Sequence, residues 1–513
     1  MSEEERVENP DVVIVGAGMG GLITGALLAK LDNRRVLVLE KEAEIGGRVM
    51  SYGGPYGRYS EKDFRKLLQG ASGVHIVRSQ PTVGEIIKEK GLFDNYIIDS
   101  GWHGVSAGSR NRFSVLAKAL GKSIPTANQV GLLMWEAGEF VELSEIAKGW
   151  PPESLRERSR VASERLRISS AESAAYDHVD VRRYMESVTS DKRVQDYYCQ
   201  LARFQMCVND ERDASAGEWM RCNNMTSATG AHLTNGGGMG DVSGGFKKIA
   251  LAFAEIITEN GGEIRSNARV REVLFEDNRA SGVLVDYGRH DRTADTVTAD
   301  VVISNLPMDT VHRIIPKHVF PSEMQRRIAH LQPITGILGH ICVRQPIETR
   351  WPKGLFLADL PGPVVRGGRP LFSYEQTSLI DPVRVLSGNN VLVQSWLPLW
   401  CRDPDEAHDR ELVEALVDSQ LAFLRQQYPQ FDDVLDWYMF VVADRVYGVA
   451  PTPGFIGDRR PTVSVPTIPN LFFTGDTVTQ TDVGTSGAAH GGILCANAVS
   501  GKNFLTLLPE YMR

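Results

Sequence analysis

An apolar run at residues 12–15 leads straight into Gly16, Gly18 and Gly21, a GxGxxG spacing within DVVIVGAGMGG. No other stretch constrains the chain as much, because each glycine answers a separate steric need. Gly16 permits a tight turn after a buried strand, Gly18 lets the backbone approach a pyrophosphate, and Gly21 lets the next helix pack close. That helix is expected over residues 20–31. Its first amides, near Met19 and Gly20, and the positive end of its dipole would point at the phosphates. A second apolar run, residues 36–39, delivers Glu40 at the distance where a carboxylate accepts both hydroxyls of an adenosine ribose. An acid there favours FAD or NAD over NADP, whose 2′-phosphate it would repel. A bare GxGxxG carries little weight among 49 glycines. The flanking strand, helix and acid make it a dinucleotide signature.

A chain of 513 residues is too long for one simple core and implies two or three domains. The net charge of −8 and the absence of any nucleic-acid module argue against a nucleic-acid partner. The N-terminus is acidic and lacks an apolar h-region, so no secretory signal is expected. No apolar run approaches the ~18 residues of a spanning helix. The cysteines at 199, 207, 222, 342, 401 and 495 show no CxxC or Cys/His spacing. They read as free buried thiols in a reducing cytoplasm, with no metal site.

Gly46, Gly47 and Arg48 follow the second strand. Two glycines allow close backbone approach, and Arg48 could meet a phosphate or a flavin edge; Lys41 stands beside the ribose acid. From about residue 52 to 224 the strand–helix alternation is lost. Residues 154–167 are rich in arginine but laced with Glu157 and Glu164, which reads as a solvated helix face. Residues 197–206 read as helical core. A glycine-dense loop at 235–245 precedes a helix over 246–259, whose Phe246, Ile249, Ala250, Phe253 and Ile257 share one face. Asn260 to Gly262 stops it. Strands follow at 268–275, 280–287 and 300–305. Beyond residue 307 the chain reads as a second, mixed domain with a strand near 390–397. It also holds an amphipathic helix over 409–427 that Pro429 closes. Residues 470–476 form a last strand ending in Gly475 and Asp476, and Gly484, Thr485 and Gly487 open a last helix. Asp476 can hold a ribityl hydroxyl, and the helix start can stabilise negative charge on a reduced flavin.

These segments together resemble the FAD-dependent amine-oxidase superfamily, in particular its phytoene desaturase, carotenoid isomerase and retinol saturase branch. The resemblance rests on residues 13–18, Glu40, residues 46–48, 237–240 with their helix, 262–273, 300–305, 380–382 before the 391–393 strand, 471–476 and 484–498. It spans the chain in outline. It implies an α/β fold: a discontinuous Rossmann-like FAD-binding domain over 10–75, 225–306 and 459–505. A second α+β substrate domain, of mixed sheet plus helices, covers 76–224 and 307–458 and contains a helical insertion. It further implies extended, non-covalent FAD, with the adenine against Val270 and the ring beneath residues 481–487. One departure stands out. Carotenoid desaturases place a His- or Phe-Pro-Gly turn before the final glycines, whereas this chain has Thr481, Asp482, Val483 and Gly484. An acid beside the flavin changes the local electrostatics.

The expected activity is hydride transfer between flavin N5 and a carbon–carbon bond of an apolar isoprenoid, polyene or alicyclic substrate, by desaturation, saturation or flavin-assisted isomerisation. Asp482 is the candidate acid/base, Arg48 its electrostatic partner, and Thr481 and Ser486 the positioning groups. Trp396, Trp400 and Tyr447 are candidate substrate contacts. His490 reads as a packed helix histidine. Oxygen or a quinone-type carrier is the expected electron acceptor, and an apolar substrate is compatible with peripheral membrane contact. Two alternatives stay open: an amine or amino-acid oxidase using oxygen, and a flavin-binding scaffold without turnover.

Overall fold

The computed structural model describes residues 9–101, 104–105, 107–128, 131–228, 239–288, 294–365, 368–399, 409–445 and 448–513. Its first sheet is built on the glycine signature. Strand Val12–Val15 lies between Val36–Leu39 and Val301–Ser304, parallel to both, with Val12 opposite Val36 and Val301. Glu263–Arg265 and Ile468–Phe473 extend the sheet in parallel on either side, and Ser464–Val465 closes one edge antiparallel. Strands 12–15 and 36–39 are apolar throughout and buried on both faces, as parallel strands covered by helices must be.

Helix Met19–Asp32 covers this sheet, flanked by Lys247–Glu259 and Gly484–Ser500. Small residues set the approach. A Cβ on Gly25 would come within 2.9 Å of Ile257, and one on Gly492 within 3.1 Å of the Gly20 carbonyl. The expected apolar face of the 247–259 helix is buried in full, through Ile249, Ala250, Phe253 and Ile257. The strands expected at 268–275 and 280–287 form a hairpin, pairing Arg269–Glu276 with Arg279–Asp286.

The second sheet has eight strands, in the order 74–80, 435–443, 335–343, 391–399, 371–375, 355–359, 132–136 and 139–142. All neighbours are antiparallel except 355–359 and 132–136. Alternation along its strands separates two cores. Ile337, Ile341 and Val393 pack against helix Arg410–Gln427. Leu338, Cys342 and Met439 face the helices Lys192–Met206 and Ala216–Ala228.

The arginine-rich segment forms helix Pro152–Arg167, and Arg160 pairs with Glu157 and Glu164 at 2.6 Å on its solvated face. Arg165 departs from that pattern. It is buried, with its guanidinium 5.1 Å from the Trp219 ring centroid. Of the cysteines, 199, 207, 222, 342 and 495 are buried free thiols, while Cys401 lies outside the described residues. Among the described residues no helix is long and apolar enough to cross a membrane, and no cluster of ligating side chains could hold a metal ion.

Candidate functional site

A cavity of about 760 Å³ runs from Glu40 and Val270 at one end to Phe204 and Met239 at the other. Its first part is shaped by backbone. Gly16 adopts φ +100°, a conformation costly for any side chain. A Cβ on Gly20 would lie 2.5 Å from the Gly475 amide nitrogen, and one on Gly21 2.4 Å from the Gly16 carbonyl. Gly20 therefore serves the contact between the first helix and the end of the last strand, as well as facing the cavity. Gly21 packs the helix and stands back from the cavity. The helix start at Gly18 carries no side-chain cap, so its first amides are available to an anion.

Glu40 is buried. Its carboxylate accepts the Ala17 amide at 2.8 Å and the Glu42 amide at 3.0 Å. Burial pushes its carboxyl up, and these two amides oppose the shift. An ionised carboxylate retains acceptor capacity beyond two bonds, so Glu40 could also receive ribose hydroxyls. Lys41 lines the same end but turns its ammonium to the Gly70 carbonyl at 2.7 Å. Gly46 donates to the Ala17 carbonyl at 2.9 Å, which brings Gly47 and Arg48 to the cavity wall.

In the middle of the cavity Arg48 meets Asp476 at 2.8 Å and donates to the Arg445 carbonyl at 2.6 Å. The expectation that Arg48 partners Asp482 is thereby corrected. Arg48 serves the acid that follows the last strand, Asp476, and not Asp482. Asp476 is held on its other side by Arg460, which donates to the Asp476 carbonyl at 2.8 Å.

The third part is the turn before the last helix. Asp482 is buried at φ +88°, a backbone conformation rare for a residue with a Cβ and concentrated at functional sites. Its Oδ1 accepts the Val483 amide at 2.8 Å and the Cys222 thiol at 3.5 Å, and its own amide donates to Glu218. Its Oδ2 accepts no hydrogen bond and lies 3.6 Å from Arg112 Nη1. Ser486 also borders the cavity, with its Oγ buried and unpaired. Gly484 and Thr485 line the cavity.

Three expected positions fall elsewhere. Thr481 does not line the cavity: its hydroxyl lies 2.9 Å from His490 Nδ1 and its amide donates to the same nitrogen at 3.0 Å. Gly487 packs instead on Gln480, whose amide oxygen a Cβ would approach to 2.7 Å. Trp396 is buried on the sheet face turned to the helices of the far wall, but its ring fills the space over Gly336 and does not line the cavity. Trp400 and Tyr447 lie outside the described residues, as do Gly237 and Gly238. His490 is a packed histidine: burial and the nearby Arg112 hold its imidazole well below the usual range.

The far wall comes from the helices Lys192–Met206 and Ala216–Ala228, and the sequence pattern does not single out its residues. Phe204 and Cys207 end one helix, and Cys222 and Met225 lie on the facing side of the next. Phe113 and Met239 complete it, and no described residue lining the cavity is Tyr or Trp. Arg112, Glu218 and Cys222 gather behind Asp482 from segments more than a hundred residues apart, and only the 218/222 helical spacing hints at a shared face.

Residues 19–500 match the family described as flavin containing amine oxidoreductase. The chain is 22% identical to a protein of Danio rerio named inactive all-trans-retinol 13,14-reductase, over 97% of this chain and 87% of that one. A shorter match, 31% identical over 18% of this chain and 17% of the other, is to a 4,4′-diapophytoene desaturase (4,4′-diapolycopene-forming) of Methylomonas sp. Among solved structures, an oxidoreductase from Methanosarcina mazei is similar with a TM-score of 0.67 and 16% identity, covering 94% of this chain and 98% of that one.

Proposed function

We propose that this chain, which belongs to the family of flavin-containing amine oxidoreductases, uses its FAD to exchange hydride with a carbon–carbon bond of an apolar isoprenoid, polyene or alicyclic substrate. The observation that carries the reading is the far wall of the cavity, where Phe113, Phe204, Cys207, Cys222, Met225 and Met239 offer apolar and sulfur surface. Such a wall suits a hydrocarbon better than a charged amine. The named relatives, a retinol reductase and a diapophytoene desaturase, support the same substrate class.

Bound FAD supplies the hydride chemistry through its N5. The chain's own residues bind, orient and move a proton. Glu40 would hold the ribose, the helix start at Gly18 the pyrophosphate, and Val270 the adenine. Arg48 and Asp476 would grip the middle of the cofactor, with the 481–486 turn bordering its ring. The carboxyl of Asp482, a residue that lines the cavity, would give or take the proton that accompanies hydride transfer, since its Oδ2 accepts no hydrogen bond. The apolar wall would exclude water from that step. In the desaturating direction oxygen or a quinone-type carrier would take up the electrons, and an apolar substrate would reach the cavity from a membrane surface.

A second reading, amine oxidation, is favoured by one observation: the Asp482 carboxylate could hold an ammonium group. Anaerobic photometry of the holoenzyme against olefins, saturated ring compounds and amines tests both. Bleaching of the flavin band by the hydrocarbon classes is expected. Bleaching by amines alone, with peroxide released in air, would replace the first reading by the second. A flavin reduced by dithionite but by no member of the panel would mark a scaffold without turnover.

A further inference from the structure

Arg112 stands behind the cavity, at the first position of helix Arg112–Ala119, whose cap is the buried Asn111 side chain accepting the Ser114 amide at 2.8 Å. Its side chain is only 3% exposed. The guanidinium reaches in two directions. Nε and Nη2 donate to the Met512 carbonyl at 3.1 and 3.0 Å. Nη1 donates to the Thr481 carbonyl at 3.1 Å and to the Ser486 carbonyl at 3.3 Å, and lies 3.6 Å from the Asp482 carboxylate. The anchor itself is seated, because the Met512 side chain is buried in the same core as Phe113 and Leu116.

A buried guanidinium is costly unless paired and hydrogen-bonded. Here four carbonyl bonds and one carboxylate satisfy it, and each of the cavity-side partners belongs to the turn that carries the strained Asp482. We infer that Arg112 is a positioning residue for this turn: braced by the Met512 carbonyl, it fixes the backbone at Thr481 and Ser486 and balances the charge of Asp482. The inference rests on the reading that residues 481–486 border the FAD ring. The other ionisable groups facing Asp482 are Cys222 and Glu218 from the Ala216–Ala228 helix, and His490 lies behind the turn on the last helix.

Two readouts on the full-length protein test it: FAD affinity, measured by reconstituting the deflavinated chain, and the holoenzyme's midpoint potential, measured against redox dyes. Arg112→Gln is expected to weaken FAD binding about tenfold, the scale of a lost charge-assisted hydrogen bond. It should also shift the potential downward, since Asp482 is then left unbalanced. Asp482→Asn should shift the potential upward, and the double variant should return towards wild type. Arg112→Lys keeps the charge, but one ammonium cannot span Met512 and Ser486, so it should restore the potential better than the affinity. A chain ending at Glu510 should weaken FAD binding as Arg112→Gln does, and the two changes together should be less than additive. Wild-type affinity and potential in Arg112→Gln, or shifts of the same sign in Arg112→Gln and Asp482→Asn, would overturn the inference. Should Arg112→Gln fail to fold, Arg112→Lys and the shortened chain decide the same question through the same two measurements. Whether olefins bleach the wild-type flavin is a separate result, which bears on the substrate alone.

Discussion

The two ends of the cavity are built by opposite means. At the Glu40 end the shape is made by backbone: Gly18 and Gly20 allow close approach of Asn305 and Gly475, the helix start carries no side-chain cap, and Glu40 is pinned by two neighbouring N–H groups. At the Asp482 end the shape is made by side chains that arrive from far apart, with a strained peptide held by Glu218, Cys222 and Arg112. The first construction suits a fixed ligand, the dinucleotide. The second can be altered residue by residue without touching the first, which is where substrate choice can diverge.

The largest effect that separates the ends is expected from Gly20→Val. Its side chain would enter the 2.5 Å gap to the Gly475 amide, where no rotamer helps. Purified protein should carry no flavin absorbance. Retained flavin would mean that the backbone construction yields more than the contacts allow. Asp482→Asn comes next. It should keep its flavin yet lose turnover by about 10²–10⁴-fold, the usual contribution of a positioned acid or base. Equal loss of flavin and turnover would erase the distinction between the ends.

Arg48→Ala should fall between them in character and below them in size. It removes a half-buried ion pair with Asp476 and should lower FAD affinity about tenfold by titration of the apoprotein. The smallest effect concerns the eight-stranded sheet. Burial holds His340 at about 4 from an ordinary 6.5. The unfolded chain therefore binds a proton that the folded one refuses. Stability is intact above pH 6.5 and declines as pH falls towards 4. Melting temperature followed across that window should drop, and His340→Gln should flatten part of the slope. An unchanged slope would show that His340 contributes nothing to the acid sensitivity of the sheet.

The same contrast explains what can be read from the sequence. Residues 12–40 are legible because strand, turn, helix and acid are contiguous and each has a local steric reason. The helix over 247–259 is legible from its 3.6-residue pattern, and Asp476 from its place at a strand end. The partners of Asp482 are not legible, because nothing local marks Arg112 or Glu218 as neighbours of a turn hundreds of residues later. Trp396 falls outside the cavity for a related reason: its strand turns it to the cavity-side face, but nothing local in the sequence shows that its ring packs over Gly336, on the neighbouring strand. Arg48 is legible as a cavity residue but not in its choice of acid, since both candidates lie within seven residues on one loop. Gly487 and Thr481 are neighbours of the glycine turn in sequence, whereas the fold packs Gly487 on Gln480 and bonds Thr481 to His490.

The Arg48–Asp476 bridge has a consequence for biosynthesis. Its two halves are separated by 428 positions, and the strand that carries the acid also completes the parallel sheet begun by residues 12–15. A ribosome must therefore translate past residue 476 before the nascent polypeptide can close its oldest sheet. Until then the edge of strand 301–304 stays unpaired, a state in which chaperones are the natural guardians.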